Sequence, residues 1–277
     1  MIPGKLSLVL PAYNEVENIA EVVQRALDVL PELAEKFEIV VVDDGSKDGT
    51  GALLDQLAVE HREIRPVHHP KNRGYGAALT SGFAAATGDH IMFMDADLQF
   101  DIADLSHLAP FVGHYDIVAG YRINRQDAGY RILYANIFKL AVRTLFGVRL
   151  RDIDCAFKVF RADMLKSMSL ESPGALINSE ILAKSEKAHA TYVEVGVHHY
   201  PRKRGESSGG SPKVVFRAMK ETILLWIRMR TYVPQLQGNG KVRDRSRLGA
   251  LVVGTTVGVG VLLAASTRVF RRRRDDR

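Results

Sequence analysis

Phe93-Met94-Asp95-Ala96-Asp97-Leu98-Gln99 runs a short apolar strand straight into two carboxylates and an amide. Ile91 to Met94 is a continuous apolar run of the kind that fills a fully buried strand, and Asp95 and Asp97 fall where that strand leaves its sheet. Residues two apart in an extended chain share a face, so both carboxylates can point at one hard cation. A small divalent ion bound by so few protein oxygens keeps coordination sites open for water and substrate phosphates. The stretch therefore proposes a nucleotide-diphosphate site with Mg²⁺ or Mn²⁺ as cofactor. Taken alone, an Asp-x-Asp is better read as an acidic strand end in a solvated turn. The flanking chain changes that balance.

Upstream, the same unit recurs. Leu6, Leu8 and Leu10 alternate in a strand that stops at Pro11, and Val16, Ile19, Val23, Ala26 and Leu30 give a helical stripe over Glu15 to Leu30. Phe37 to Val42 is a second apolar run, ended by Asp43-Asp44-Gly45-Ser46 and followed by a helical pattern over Thr50 to Val59. Pro66 to His69 with Tyr75 to Ala86, and His90 to Asp95 with Ile102 to Val112, repeat it. Strands that alternate with helices and lack a polar face predict an α/β fold with a mostly parallel sheet and helices on both faces. In such sheets ligands bind beyond the carboxyl ends of the strands. Pro11–Glu15, Asp43–Ser46, Asn72–Gly76 and Asp95–Gln99 all fall there, and four distinctive loops on one rim argue against four unrelated solvated turns. Asn72-Arg73-Gly74-Tyr75-Gly76 lacks the third glycine of a dinucleotide fingerprint and reads as a helix start near a ligand. His68, His69, His198 and His199 come as strand neighbours that point to opposite faces, so neither pair suits one metal ion.

Downstream, Tyr115 to Gly120 reads as a strand, Ile132 to Phe146 as a helix, Val159 to Met168 and Ile177 to Ala188 as shorter helices, and Tyr192 to His198 as a last strand. Arg202 to Ser211 is a basic Gly/Ser-rich loop. Pro212 to Tyr232 places Val215, Met219, Ile223 and Trp226 on one helical face and Arg217, Glu221 and Arg228 on another, which suits either packing on the main domain or a membrane interface. Leu248 to Thr267 is 20 residues without a charge, close to the ~20 that cross a bilayer as a helix. Gly254-x-x-x-Gly258 within it suits a homo-oligomer through close helix packing. Basic residues crowd both of its flanks, so a re-entrant or surface-lying segment stays open beside a span.

With 277 residues and 46% hydrophobic composition, the chain can bury one large core and carry an appendage. The divisions expected are 1–211 for the catalytic domain, 212–235 for a basic amphipathic helix, 236–247 for a linker and 248–277 for a membrane-inserted segment with an Arg-rich tail. Cys155, the single cysteine, excludes an internal disulfide, and no cleavable leader precedes the first strand, so a cytosol-facing catalytic domain is expected. Lys and Arg number 20 against 27 acids over residues 1–201, and 18 against 5 over 202–277. The basic excess gathers around the most apolar part of the chain, which argues for an anionic membrane and against nucleic acid as partner.

Pro11-Ala12-Tyr13-Asn14-Glu15, Val41 to Thr50, Asn72 to Leu79 and Asp95-Ala96-Asp97-Leu98-Gln99, taken in order over roughly residues 5–210, resemble family 2 glycosyltransferases of the GT-A fold. Within that family the chain is most similar to dolichol-phosphate mannosyltransferases and bacterial polyprenyl-phosphate glycosyltransferases. The resemblance implies that Pro11, Tyr13, Glu15, Val42 and Asp44 hold the base and ribose of a nucleotide-diphosphate sugar. It sets Asp95, Ala96, Asp97 and Gln99 around the metal and diphosphate, with Asp95, Asp97 and Gln99 as the metal residues. Arg122 falls where the family has an arginine near the donor phosphates. Asp152-Ile153-Asp154-Cys155-Ala156-Phe157-Lys158 matches a stretch beside the acceptor, and Arg202 and Ser207 match a loop that closes over phosphates. Asp97, Arg122 and Arg202 are the catalytic candidates. Ser208 stands where that loop often has lysine, Phe100-Asp101-Ile102 replaces the usual His-Pro-Pro, and Ala156 replaces glycine.

The activity implied is transfer of mannose or glucose from a GDP- or UDP-sugar to a polyprenyl phosphate, with inversion. Two alternatives remain at this point: a soluble or protein-linked hydroxyl acceptor, for which Asp152 or Asp154 would have to serve as base, and an inactive membrane-tethered scaffold that only binds nucleotide sugar.

Overall fold

Leu6 to Leu10, Ile39 to Val42 and Ile91 to Met94 are buried without alternation, as strands are only when both faces of their sheet are covered. The computed structural model describes residues 1–123, 129–202 and 212–236, the side chains of 129–136 and 212–218 excepted. In it these runs are β1 (Ile2–Ala12), β2 (Ala34–Asp43) and β4 (His90–Met94). Between them come α1 (Ile19–Leu33), α2 (Thr50–Glu60), β3 (Ile64–His68) and α3 (Tyr75–Ala85). After β4 follow α4 (Leu105–Leu108), β5 (Ile117–Ile123), α5 (Gly129–Phe146), β6 (Phe157–Arg161), α6 (Ala162–Lys166), α7 (Ile177–Lys187), β7 (Tyr192–His198) and α8 (Pro212–Thr231). The strand order is β3-β2-β1-β4-β6-β5-β7. Six strands run one way and β6 alone is reversed, antiparallel to both β4 and β5.

The α/β architecture and the mostly parallel sheet are as expected from sequence. Three local readings are corrected. Val159 to Arg161 belong to a strand, because Phe157, Val159 and Phe160 pack between β4 and β5 while the helix begins only at Ala162. Ile102 to Val112 is broken into two 3₁₀ turns around the four-residue α4, with Pro110 opening the second turn. β1 runs through Pro11 to Ala12, since the ladder with β4 has already ended at Val9 and the missing N–H is not needed there.

Glu38 of β2 fastens this half of the sheet. Its carboxylate accepts hydrogen bonds from Ser7 Oγ (2.6 Å), the Thr87 N–H (2.5 Å) and Lys5 Nζ (2.9 Å), with Arg65 at 3.3 Å. Burial alone would raise its pKa, but these donors outweigh it and hold the group at about 2 against an ordinary 4.5. A depressed carboxylate contributes stability above its unfolded pKa and loses it as pH falls through the folded one. Urea unfolding is therefore expected to show roughly 3 kcal/mol of Glu38-linked stability at neutral pH, vanishing between pH 4.5 and 2. Glu38→Gln should remove that part of the pH dependence, and an unchanged acid limb would count against it.

α8 turns a different face inward from the one its spacing suggested. Thr222, Leu225 and Met229 are buried, with Leu225 and Met229 clustered with Leu176, Ala183, Phe138, Phe146 and Tyr232. Met219 and Ile223 are left exposed. Among the described residues no helix is long and apolar enough to cross a membrane, and Leu248–Thr267 lies outside them.

Candidate active site

Six parallel strands put their carboxyl ends on one rim, and reversal of β6 brings the residues before it to the same rim. Glu15 follows β1, Asp43 and Asp44 end β2, Asp95 and Asp97 follow β4, Arg122 ends β5, Asp152 precedes β6 and Arg202 follows β7. Segments far apart in sequence meet there for a topological reason.

Asp97 is buried and doubly held: Oδ1 accepts the Gln99 N–H (3.1 Å) and Oδ2 accepts from Arg202 Nη2 (3.0 Å). The tight turn between them sets Leu98 at φ +60°, a left-handed conformation costly for a branched side chain and maintained here by its burial. Arg202 also reaches Glu15 Oε1 at 3.2 Å. A reciprocal clamp delivers it: Tyr200 N–H donates to the Gln99 carbonyl (2.8 Å) and Gln99 Nε2 donates to the Tyr200 carbonyl (3.1 Å). Gln99, a candidate metal residue, thus spends its amide N–H on the chain that carries Arg202.

Asp95 has one carboxylate oxygen, Oδ1, that is fully buried and without a hydrogen-bond partner. Burial first, then the charge of Asp97, push its pKa up to about 7, against a hydrogen bond from Tyr75 and the charges of Lys158 and Arg202. Two crowded carboxylates with a spare buried oxygen are a donor set suited to a hard divalent cation, so Asp95 and Asp97 fit the metal implied by the motif.

Arg122 makes a two-pronged ion pair with Asp152, Nε to Oδ2 at 2.7 Å and Nη2 to Oδ1 at 2.8 Å. Burial would raise the Asp152 pKa, but the Arg122 hydrogen bonds and charge hold it at about 2. The loop bearing Asp152 is pinned from below by Lys158. This fully buried ammonium donates to the carbonyls of Ile153 (3.1 Å) and Cys155 and lies 5.6 Å from the Phe93 ring.

The nucleotide residues divide. Tyr13 is 44% exposed and Pro11 half-buried at the rim, whereas Val42 and Ala96 are buried and offer no side-chain surface. Asp44 is buried and occupied: it accepts from His69 Nδ1 (2.6 Å), Arg73 N–H (2.8 Å) and Gly74 N–H (2.8 Å). Its role in the structure is to hold the Asn72–Gly74 loop. Gly76 has no room for a Cβ against the Ser172 carbonyl, and the Gly76 and Ala77 N–H groups donate to Pro173 O at 2.8 and 3.2 Å. The start of α3 is where the sequence put it, but these two amides serve the chain before α7 rather than a ligand. Of the histidines, His68 pairs with Asp43 and Asp55, His69 bridges Asp44 and Ser81, and His198 bonds Asp104. Ser207 lies outside the described residues. Tyr75 and Lys158 were missed as supporting residues. A lone lysine inside Phe157-Lys158-Val159-Phe160 was the available signal, while Tyr75 was hidden in a loop read for its glycines.

Comparisons with known proteins bear on the family and the fold. Undecaprenyl-phosphate 4-deoxy-4-formamido-L-arabinose transferase of Pseudomonas fluorescens strain SBW25 is 33% identical over 213 residues, 76% of this chain and 61% of that protein. The protein of the same name from strain Pf-5 is 36% identical over 205 residues, 73% of this chain and 59% of that one. The chain thus spans about three fifths of the length of these relatives. Among solved structures, glucosyl-3-phosphoglycerate synthase from Mycobacterium tuberculosis, in complex with Mn²⁺, UDP and glucosyl-3-phosphoglycerate, superposes with a TM-score of 0.61 at 20% identity, covering 84% of this chain and 82% of that one. That likeness shows the GT-A fold. The family model for glycosyl transferase family 2 matches residues 7–172, and with that match the chain is shown to belong to glycosyl transferase family 2.

Proposed function

We propose that the protein transfers a sugar from a nucleotide-diphosphate donor to a polyprenyl phosphate at a membrane surface, with inversion at the anomeric carbon. The observation that carries the reading is the Asp95–Asp97 pair, with its orphaned buried oxygen on Asp95 and with Arg202, beyond β7, bound to Asp97. The donor panel runs from GDP-mannose and UDP-glucose to the formamido-arabinose named in the relatives. The polyprenyl acceptor is supported by the relatives' names, and a divalent metal by the Mn²⁺ in the structural neighbour.

In the step itself, an acceptor phosphate oxygen forms a bond to the sugar's anomeric carbon as the bond to the donor diphosphate breaks, and the nucleoside diphosphate departs. A phosphate monoester has a second pKa of about 6, so this nucleophile is largely ionised at neutral pH and needs no base. A divalent cation on Asp95 and Asp97 would supply positive charge where the leaving diphosphate gathers negative charge. Arg202, already poised on Asp97, turns its guanidinium to the same charge once phosphates enter. Arg122 keeps a fixed positive centre at the end of β5 because Asp152 orients it.

A hydroxyl acceptor would need a carboxylate base near neutral pH. Asp152, with its pKa held at about 2 by Arg122, is a poor one, which leaves that alternative resting on Asp154 alone. On the acceptor reading the enzyme works at a membrane, and the lone, buried Cys155 suits a catalytic domain that faces the reducing cytoplasm. Incubation of the full chain with labelled GDP- and UDP-sugars, Mg²⁺ or Mn²⁺ and membrane extract is expected to move label into organic solvent. Label that stays in water as a glycoside would favour the hydroxyl acceptor, and nucleotide binding without any transfer would favour the scaffold.

A further inference from the structure

Met219, Ile223 and Ile227 follow one another at four-residue spacing on α8 and so share a stripe, and they are 47%, 54% and 52% exposed. Leu224 beside them is 45% exposed. The inward face of the same helix, Thr222, Leu225 and Met229, is already packed, so the stripe is surplus to the fold. We propose that this outer face of α8 lies in the headgroup and upper acyl region of an anionic phospholipid bilayer, holding the catalytic domain at the surface where its lipid acceptor resides.

The choice of partner rests on charge and on chain continuity. Lys220, Arg228 and Arg230 are exposed on the same helix, and the Arg230 guanidinium sits 4.1 Å above the Trp226 ring. Of the nearby acids, Glu171 is paired with Arg228 and Glu221 is half-buried. An apolar stripe interleaved with long cationic side chains, with a tryptophan under an arginine, suits an anionic membrane surface toward whose headgroups those cations can reach. Two copies docked through this face would instead set the same basic residues against each other. The sequence beyond α8 continues the theme, with Lys241, Arg243, Arg245 and Arg247 leading to the uncharged run 248–267. That the partner is a lipid surface rests on the polyprenyl-phosphate reading.

Trp226 is the only tryptophan in the chain, so selectively excited tryptophan fluorescence reports α8 alone. Vesicles of phosphatidylcholine, with and without phosphatidylglycerol, are added to the full chain, and the measurement is repeated with acyl-brominated phosphatidylcholine. The expected result is a blue shift, stronger on the anionic vesicles, and loss of roughly half of the emission to shallow bromines, as for a helix ~5–10 Å deep. Met219→Ser/Ile223→Ser/Ile227→Ser changes only exposed positions and should abolish the quenching while calorimetric binding of GDP or UDP, whichever the unaltered chain takes up with Mn²⁺, is retained. Unquenched Trp226 on vesicles that nevertheless carry the protein would overturn the proposal and assign the anchor to 248–267. A triple variant that turns a dimer into a monomer by light scattering would overturn it in favour of a second copy. Transfer to a water-soluble short-chain prenyl phosphate is measured alongside: its absence would count against the acceptor reading, and the fluorescence result stands apart from it.

Discussion

Asp97→Asn is expected to lower sugar transfer by about 10³-fold or more while leaving the fold intact. The substitution is isosteric and keeps an oxygen for the Gln99 N–H, so the turn that sets Leu98 in its left-handed conformation survives. The negative charge does not survive, and with it goes half of the carboxylate pair that suits a divalent cation and the anchor that Arg202 uses at 3.0 Å. Removing that charge also relieves Asp95, whose pKa Asp97 helps to raise, so thermal stability should hold or rise slightly. Circular dichroism melts and transfer assays across Mg²⁺ and Mn²⁺ concentrations are the measurements. Near-normal turnover with Mg²⁺ present would remove Asp97 from the machinery.

Asp152→Ala should produce the largest loss of stability of any single change at the site. Arg122 and Asp152 each expose only 13% of their side chains, so deleting the carboxylate leaves a largely buried guanidinium without its partner. Such orphaned charges cost about 3–5 kcal/mol. The double variant Asp152→Ala/Arg122→Met should recover most of that stability in urea titrations and still transfer poorly, because the cost comes from the stranded charge and the activity from the positioned one. Since the Asp152 pKa is lowered to about 2, the pair contributes fully above the ordinary carboxylate value of 3.8 and is lost as pH falls toward 2. A fully stable single variant would mean that water or another group replaces Asp152.

Strand runs such as Val40-Val41-Val42 and Ile91-Met92-Phe93-Met94 were legible because burial on both faces erases alternation, and the rim loops were legible because their chemistry stands at the ends of those runs. Phe157 to Phe160 was not, since a short apolar run carries no period that separates strand from helix. The inward face of α8 was misassigned because Met219, Ile223 and Trp226 form as good a stripe as Thr222, Leu225 and Met229, and only the packing partners on α5 and α7 choose between them. Contacts such as Gln99 with Tyr200, 101 residues apart, leave no local trace in composition or spacing. Asp44 shows the converse case: its place in a motif was plain, but its saturation by His69, Arg73 and Gly74 could be known only from the fold.

The reversed strand β6 has a consequence for how such a chain can be inherited and recombined. β4 and β5 are never neighbours, so the segment that carries the Asp-x-Asp and the segment that carries Arg122 and Arg202 are spliced by β6 instead of sharing a ladder. The seam includes five register pairs from His90–Arg161 to Met94–Phe157, the Ala162 N–H on the Asp89 carbonyl, the Pro173 carbonyl on α3, the clamp between Gln99 and Tyr200, and the ion pairs of Arg202 with Asp97 and Glu15. A recombinant that keeps those contacts and is joined after Gln99 is expected to fold as one cooperative unit with the remainder of the sheet taken from a relative.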